Sequence, residues 1–422
     1  MKKLLLFAVT AGILAVMTGC DVHVQHSWSD ADLKTATNVV QTAAIPIGLK
    51  NLEVDNRYGS VHIIGTDNGT NAWTWQLTVH ANSDAVAQKI VSGASCKVET
   101  NGDQLHLIVS LPDSQEPHSI QSDFQISVPK TVAIRTQNQF GPTYISDLTG
   151  KVEAKDENSR LEIRNIAGSV NAQTSFDGLF VSHTGSARLK NQNGRIEAEA
   201  IGGSLTAETS FAPLIAKDIR GAATLHNQNG RIEATNIGGP LDAKTSFDSL
   251  IANDIGGAAH LRDQNGSIKI NQVRGDADIG TSFASLSVKG IGGDAILMNQ
   301  NGNVAASDVT GSVEAATSFA NMDITGGGSK FVCHNQNGNI RLHPTSVALT
   351  NIEAQTSFAT LEVRLPAALK PAIQARTTFG DVESDFPVLM KPRGEDPFAG
   401  ITPDTAQISL ENQNGKISVV RD

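Results

Sequence analysis

Several residue classes are nearly missing from this chain. Of its 422 residues, 3 are Cys, 3 Trp and 2 Tyr, and aromatics together reach only 5%. So few bulky rings argue against a thick core. The three thiols, Cys20, Cys96 and Cys333, form no Cys-x-x-Cys pair and have no His at metal-ligand spacing, which removes a zinc site from consideration. Positive charge is also short: 33 Lys and Arg stand against 43 Asp and Glu, for a net charge of −10, with no basic block beyond Lys2-Lys3. A nucleic-acid partner needs a Lys/Arg stripe, so none is expected. His-Glu-x-x-His, a triad-like arrangement and a phosphate loop in strand-to-helix context are missing as well.

The amino terminus follows a targeting grammar and is set aside from the fold. Lys2-Lys3 precedes an apolar run from Leu4 to Val16, shorter than the ~20 apolar residues a bilayer span needs. The run ends in Met17-Thr18-Gly19-Cys20, which resembles a bacterial lipoprotein lipobox. That resemblance implies loss of residues 1–19 and lipidation of Cys20. Asp21 directly after the cysteine then points to retention at the inner membrane, facing the periplasm. Residues 20–45 read as the lipidated Cys and a polar tether.

What the chain has in abundance is glycine, 38 residues of it, placed on a ruler. The glycine of Asn/Asp-Gln-Asn-Gly falls at Gly194, Gly230, Gly266, Gly302 and Gly338, in steps of 36. The phenylalanine of Thr-Ser-Phe falls at Phe176, Phe211, Phe247, Phe283 and Phe319, then Phe358. A further series, Gly203 to Gly311, halves the period to 18. The unit is therefore 18 residues in two alternating versions, and the two phrases share one corner, Phe211 aligning with Asn229. Alternation such as Leu214/Ala216 and Ala223/Leu225 marks two short strands per unit. Units this short exclude helical-pair repeats. The expected fold is all-β: a single-chain β-solenoid, right-handed by the crossover rule, with coils ~4.8 Å apart.

The ends depart from this grammar, as solenoid caps do. Residues 46–137 are expected to form a mixed β cap with one short helix in "SDAVAQKIVSGAS", Ser83 as its N-cap. Regular coils are expected over 138–385, a Pro-rich excursion over 386–404, and a closing coil over 405–422. With "FQISVPKTV" and coils such as "NQNGRIEATNIGG", the chain from about residue 48 resembles the bacterial putative-adhesin family of β-solenoid envelope proteins, related to head GIN adhesin-like domains. The resemblance implies the fold and a cell-envelope setting, and supplies no catalytic residues.

Three columns are candidate sites. Asn193, Asn229, Asn265, Asn301 and Asn337, each with the glycine that follows, are expected to form a structural turn ladder, because Asn-Gly tolerates positive φ. The Phe column is expected to point into the core; the alternative, a sugar-stacking or membrane-inserting row pointing outward, would be an exposed apolar stripe, which is rare without a partner. Asp147, Asn165, Asp218, Asn236, Asp254 and Asp308 are expected to cap turns. Carboxylates such as Glu197 and Glu233 alternate with Lys269 and form no convergent pair in the sequence pattern, so a glycan-active enzyme is the second reading, and a sensor or assembly accessory the third. The first is a lipid-anchored, non-catalytic binding or structural scaffold. It needs no cofactor or metal, and its partner is a glycan, peptidoglycan or another envelope protein.

Overall fold

In the coil that starts at Leu214, the strand Leu214–Ile219 buries Leu214, Ala216 and Ile219. A corner at 220–222 leads to Ala223–Asn227, which buries Ala223, Leu225 and Asn227. A second corner at 228–231 delivers the chain to Ile232–Ile237, in parallel register with Leu214 opposite Ile232. Repeating that step gives an all-β solenoid of about 13 turns with coils of about 18 residues and one helix. The computed structural model describes residues 35–67, 71–113, 118–389, 396–402 and 404–422; Cys20 and Asp21 lie outside the described residues. Among the described residues, two sheets, of 19 and 18 strands, face each other across the core. Alanine at the middle inward position of many strands, such as Ala198, Ala216, Ala234 and Ala252, keeps that core narrow. This is why the chain does with so few aromatics. Cys96 and Cys333 are free and buried; burial pushes the Cys96 thiol up to about 11 and Cys333 higher still, so neither is a ready thiolate.

The first coil lies earlier than the sequence pattern suggests. Asn51–Tyr58 pairs in parallel with Ala133–Phe140, and Val61–Thr66 with Thr143–Leu148. Residues 51–66 are therefore a solenoid coil, and the chain between them and residue 133 is an insertion that caps the rod. In it, Ala72–Ala81 runs antiparallel to His118–Pro129 and to Thr35–Ala44. Part of the expected tether is thus a strand, because the cap's outer strand needs a backbone partner. The helix is Asp84–Gly93, with the Ser83 hydroxyl accepting from the Val86 N–H, and it buries Ala87 and Ile90.

The other end is also reordered. The strand Gln407–Asn412 does not close the rod but lies between Asn351–Thr356 and Ala372–Thr377, parallel to both. Ile417–Arg421 likewise separates Leu361–Leu365 from Val382–Ser384. The last coil in space is thus formed by residues 372–384, and residues 407–421 slot in one coil earlier.

At the corner leaving the first sheet, each of the ten coils from Asp147 to Asp308 has one left-handed residue: Asp147, Asn165, His183, Ala200, Asp218, Asn236, Asp254, Gln272 and Asp308, with φ from 54 to 62°, and Gly290 at 72°. The Asx column expected to cap turns instead supplies these bends, because Asn and Asp tolerate this region best after glycine. Their side chains link coil to coil in places, Asn165 Nδ2 donating to Asp147 Oδ1 at 3.0 Å and Asn236 Nδ2 to Asp218 Oδ1 at 2.5 Å. Ala200 has no such compensation. Ala200→Gly is expected to stabilise the protein by about 1 kcal/mol, read as slower amide exchange over 196–219, and a β-branched residue there to do the reverse.

Candidate functional site: an aromatic corner

The corner shared by the two phrases has an inner and an outer column. The inner one is buried and polar. In Asn-type coils the first Asn of the phrase turns inward: Asn227 Oδ1 accepts from Gly230 N at 2.9 Å, and its Nδ2 donates to Ala212 O of the preceding coil at 2.8 Å. Asn191, Asn299, Asn335 and Asn412 repeat both bonds. In Phe-type coils the threonine takes this place: Thr209 Oγ1 donates to Gly194 O at 3.0 Å and Thr245 Oγ1 to Gly230 O at 2.8 Å. From Thr174 onward each coil type therefore satisfies carbonyls of the other, whereas at the amino-terminal end Asn56 stacks directly on Asn138.

The second asparagines, Asn193, Asn229, Asn265, Asn301 and Asn337, lie half-buried on the outer column. Asn265, Asn301 and Asn337 donate to the carbonyls of Ser246, Ser282 and Ser318. Neither these residues nor the glycines after them have positive φ, contrary to the expectation. Glycine is required there for a different reason. A Cβ on Gly194, Gly266, Gly302 or Gly338 would lie 1.9–2.2 Å from the carbonyl oxygen of the neighbouring coil, and 2.6 Å at Gly230.

The Phe column corrects the sequence reading outright. Phe176, Phe211, Phe247, Phe283 and Phe319 are 61–64% exposed. The corner has room for one inward side chain, and threonine, two residues earlier, fills it; the turn then carries Phe outward. A signal was present: a column that accepts Asn on every second coil is not an apolar core column. Sequence reasoning also missed Tyr58, Phe140 and Phe379. With them, the outer column alternates in space from Phe140 to Phe379, Asn414 lying between Phe358 and Phe379 because of the reordered end. Successive rings are two coils apart, ~9.6 Å, and the row is on the order of 65 Å long. At its amino-terminal end Tyr58 stacks on Phe140, with centroids 5.3 Å apart.

Two other places carry chemistry. A shallow groove on the first sheet is lined by His62, Thr74, Gln125, Tyr144, Glu162 and Arg164, with His62 stacked on Tyr144 at 4.6 Å. Its carboxylate, Glu162, is held by Arg160 at 2.7 Å and Arg164 at 2.5 Å. Where the cap meets the first coil, ligand-type atoms of Glu53, Asp55 and His106 lie within 4.8 Å of one another. His106 Nε2 already meets Asp55 at 2.9 Å and Arg135 lies 3.4 Å from Glu53, so these groups satisfy each other.

Two aspartates occupy the inner column. Asp156 is pushed up from 3.8 to about 6 by burial, partly offset by bonds from Thr143 and Ser159. Burial also raises Asp263, whose Oδ1 accepts from Gly266 N at 2.9 Å while Oδ2, standing where other coils have Nδ2, has no partner. A proton on Oδ2 lets it donate as the amide does.

Two predictions follow from the corner. Phe247→Ala is expected to change stability by less than about 0.5 kcal/mol, whereas Asn227→Ala, which orphans the buried Gly230 N–H and the part-buried Ala212 carbonyl, costs roughly 2–4 kcal/mol. Hydrogen exchange over 209–245 measures both, and a core-like loss for Phe247→Ala would contradict the exposed row. Asp156 contributes stability that is complete below pH 3.8 and is lost as pH rises through about 6, on the order of 3 kcal/mol, and the raised Asp263 acts in the same direction. Melting from about pH 8 to about pH 5 should therefore show a rise that Asp156→Asn with Asp263→Asn removes.

No protein-family model and no curated protein matches the sequence. Two solved structures are similar to it. One, described as a "putative cell adhesion protein" from Clostridium sporogenes, aligns over 92% of this chain and 100% of its own, at 10% identity and a TM-score of 0.16. The other, described as a "putative adhesin" from Bacteroides fragilis, aligns over 72% of this chain and 97% of its own, at 14% identity and a TM-score of 0.22.

Proposed function

We propose that this chain is a non-catalytic, adhesin-like binding rod of the bacterial cell envelope, anchored through lipid on Cys20 and presenting one repeated corner to its partner. The observation that carries the reading is the row of evenly spaced, outward Phe rings on a scaffold whose coils are hydrogen-bonded throughout. Monomeric proteins rarely expose so long an apolar line without a use for it. Repetition supplies the mechanism: each contact is weak, and contacts on one rigid body add as avidity.

The charged groups on the faces support a binding role over a catalytic one. Glu197 pairs with Arg195 at 2.7 Å, Glu233 with Arg231, and Lys190 with Glu208 at 3.4 Å, so these carboxylates neutralise neighbours along the coils. Glycoside chemistry needs two carboxyl groups converging on one bond. The lipobox-like Met17-Thr18-Gly19-Cys20 supports the anchor, and Asp21 the periplasmic face of the inner membrane. Glycan, peptidoglycan or another envelope protein is the partner.

Deleting residues 212–247 removes one two-coil unit and keeps the alternation, and deleting 212–319 removes three. Binding of the intact chain to isolated envelope fractions should weaken with each unit lost, by at least about tenfold for the longer deletion. Unchanged binding would place the site at a terminus and end the multivalent reading.

A further inference from the structure

Resting on the binding-rod reading, we propose that the Phe/Asn corner is a site for an extended, uncharged, β-1,4-linked polysaccharide laid along the rod, with one sugar ring of each disaccharide stacked on one Phe.

The rings repeat in a nearly constant environment, as Phe211, Phe247, Phe283 and Phe319 are 62, 62, 61 and 64% exposed. Their interval is two coils, ~9.6 Å. In an extended β-1,4-linked glycan alternate sugars are flipped, so the same pyranose face returns once per disaccharide, a length close to this interval. A chain running parallel to the rod axis thus meets a ring wherever it presents that face. The axial C–H groups of a pyranose are slightly positive and match the negative face of an aromatic ring.

Between the rings lie the half-buried asparagines. Where their Nδ2 is bound to a serine carbonyl, as in Asn265 and Asn301, the amide oxygen remains to accept from a sugar hydroxyl. The charge of the strip agrees with a neutral ligand. Residues flanking the column from 175 to 338 are Ser, Gln, Ala and Gly, with Asp177 and Asp248 the exceptions, although the chain carries −10 overall and pairs its charges on the sheet faces. A membrane surface fits less well, because interfacial adsorption draws on Lys and Arg beside the apolar groups, and the cations nearest the strip, Arg195 and Arg231, are paired with Glu197 and Glu233. The rings are 61–64% exposed, so a long polymer can reach them without threading.

The test uses the full chain, with amorphous cellulose, insoluble chitin and purified sacculi as binding phases, hydroxyethylcellulose for affinity electrophoresis, and soluble starch as the α-linked control. The chain should bind the uncharged β-linked polymers and ignore starch. Phe211→Ala/Phe247→Ala/Phe283→Ala should weaken that binding at least about tenfold, and the corresponding triple Phe→Tyr variant should retain it. Thermal melting of both variants should match the parent, which separates lost contacts from lost fold. No binding to cellulose, chitin or hydroxyethylcellulose, or equal binding by the Ala variant, overturns the glycan site. If the deletions still weaken envelope binding in that event, the binding-rod reading stands without it. Self-association of the parent in sedimentation that the Ala variant abolishes, without glycan binding, would assign the row to a second copy of the chain and likewise overturn the proposal.

Discussion

Along the rod from Thr174 to Thr377 every turn has to find partners for the backbone N–H and C=O groups at its corner, and one alternating pair of side chains provides them. Asn reaches forward to close its own turn and back to a carbonyl of the preceding coil; Thr donates to the glycine carbonyl left over. Buried backbone groups that go unpaired are costly, and the exchange recurs along that whole stretch. The glycine of the Asn-type coil belongs to the same device, since a Cβ there would strike the neighbouring carbonyl.

The reordered carboxyl end follows from that constraint. Residues 351–365 and 372–384 both form Phe-type coils, with Thr356 and Thr377 at the inner column. Stacked directly, they would offer two hydroxyls and no amide to the corner between them. The coil of residues 407–421 brings Asn412, whose Nδ2 donates to Ala359 O at 2.6 Å, and takes the place between. Alternation in space is thereby kept where alternation along the chain fails. Asp263 marks how closely an amide is wanted: an isosteric carboxyl takes the position, and burial raises its affinity for the proton that makes it amide-like.

Function and stability share the corner without competing for it. The inner column ties coils together and the outer one is left to the surface. Because Phe takes little part in the core, the row is a feature that stability alone does not explain, and its interval is inherited from the coil spacing rather than set by the rings.

The period of 18, the two coil versions, the short strands and the Ser83-capped helix were legible in the sequence, because each rests on local alternation, glycine spacing and capping chemistry. Left-handed residues were visible as an Asx column, though their role was misread: φ depends on how the strand bends, and Ala200 and Gln272 adopt the same angle without the signature. The outward turn of Phe176, Phe211, Phe247, Phe283 and Phe319 was decided by tertiary structure, as was the coil formed by residues 51–66 and the slot taken by 407–421. Periodicity fixes which residues share a column. Which way a column faces depends on how a corner rotates the chain, and which coil stacks on which depends on hydrogen bonds between segments that need not be neighbours in sequence.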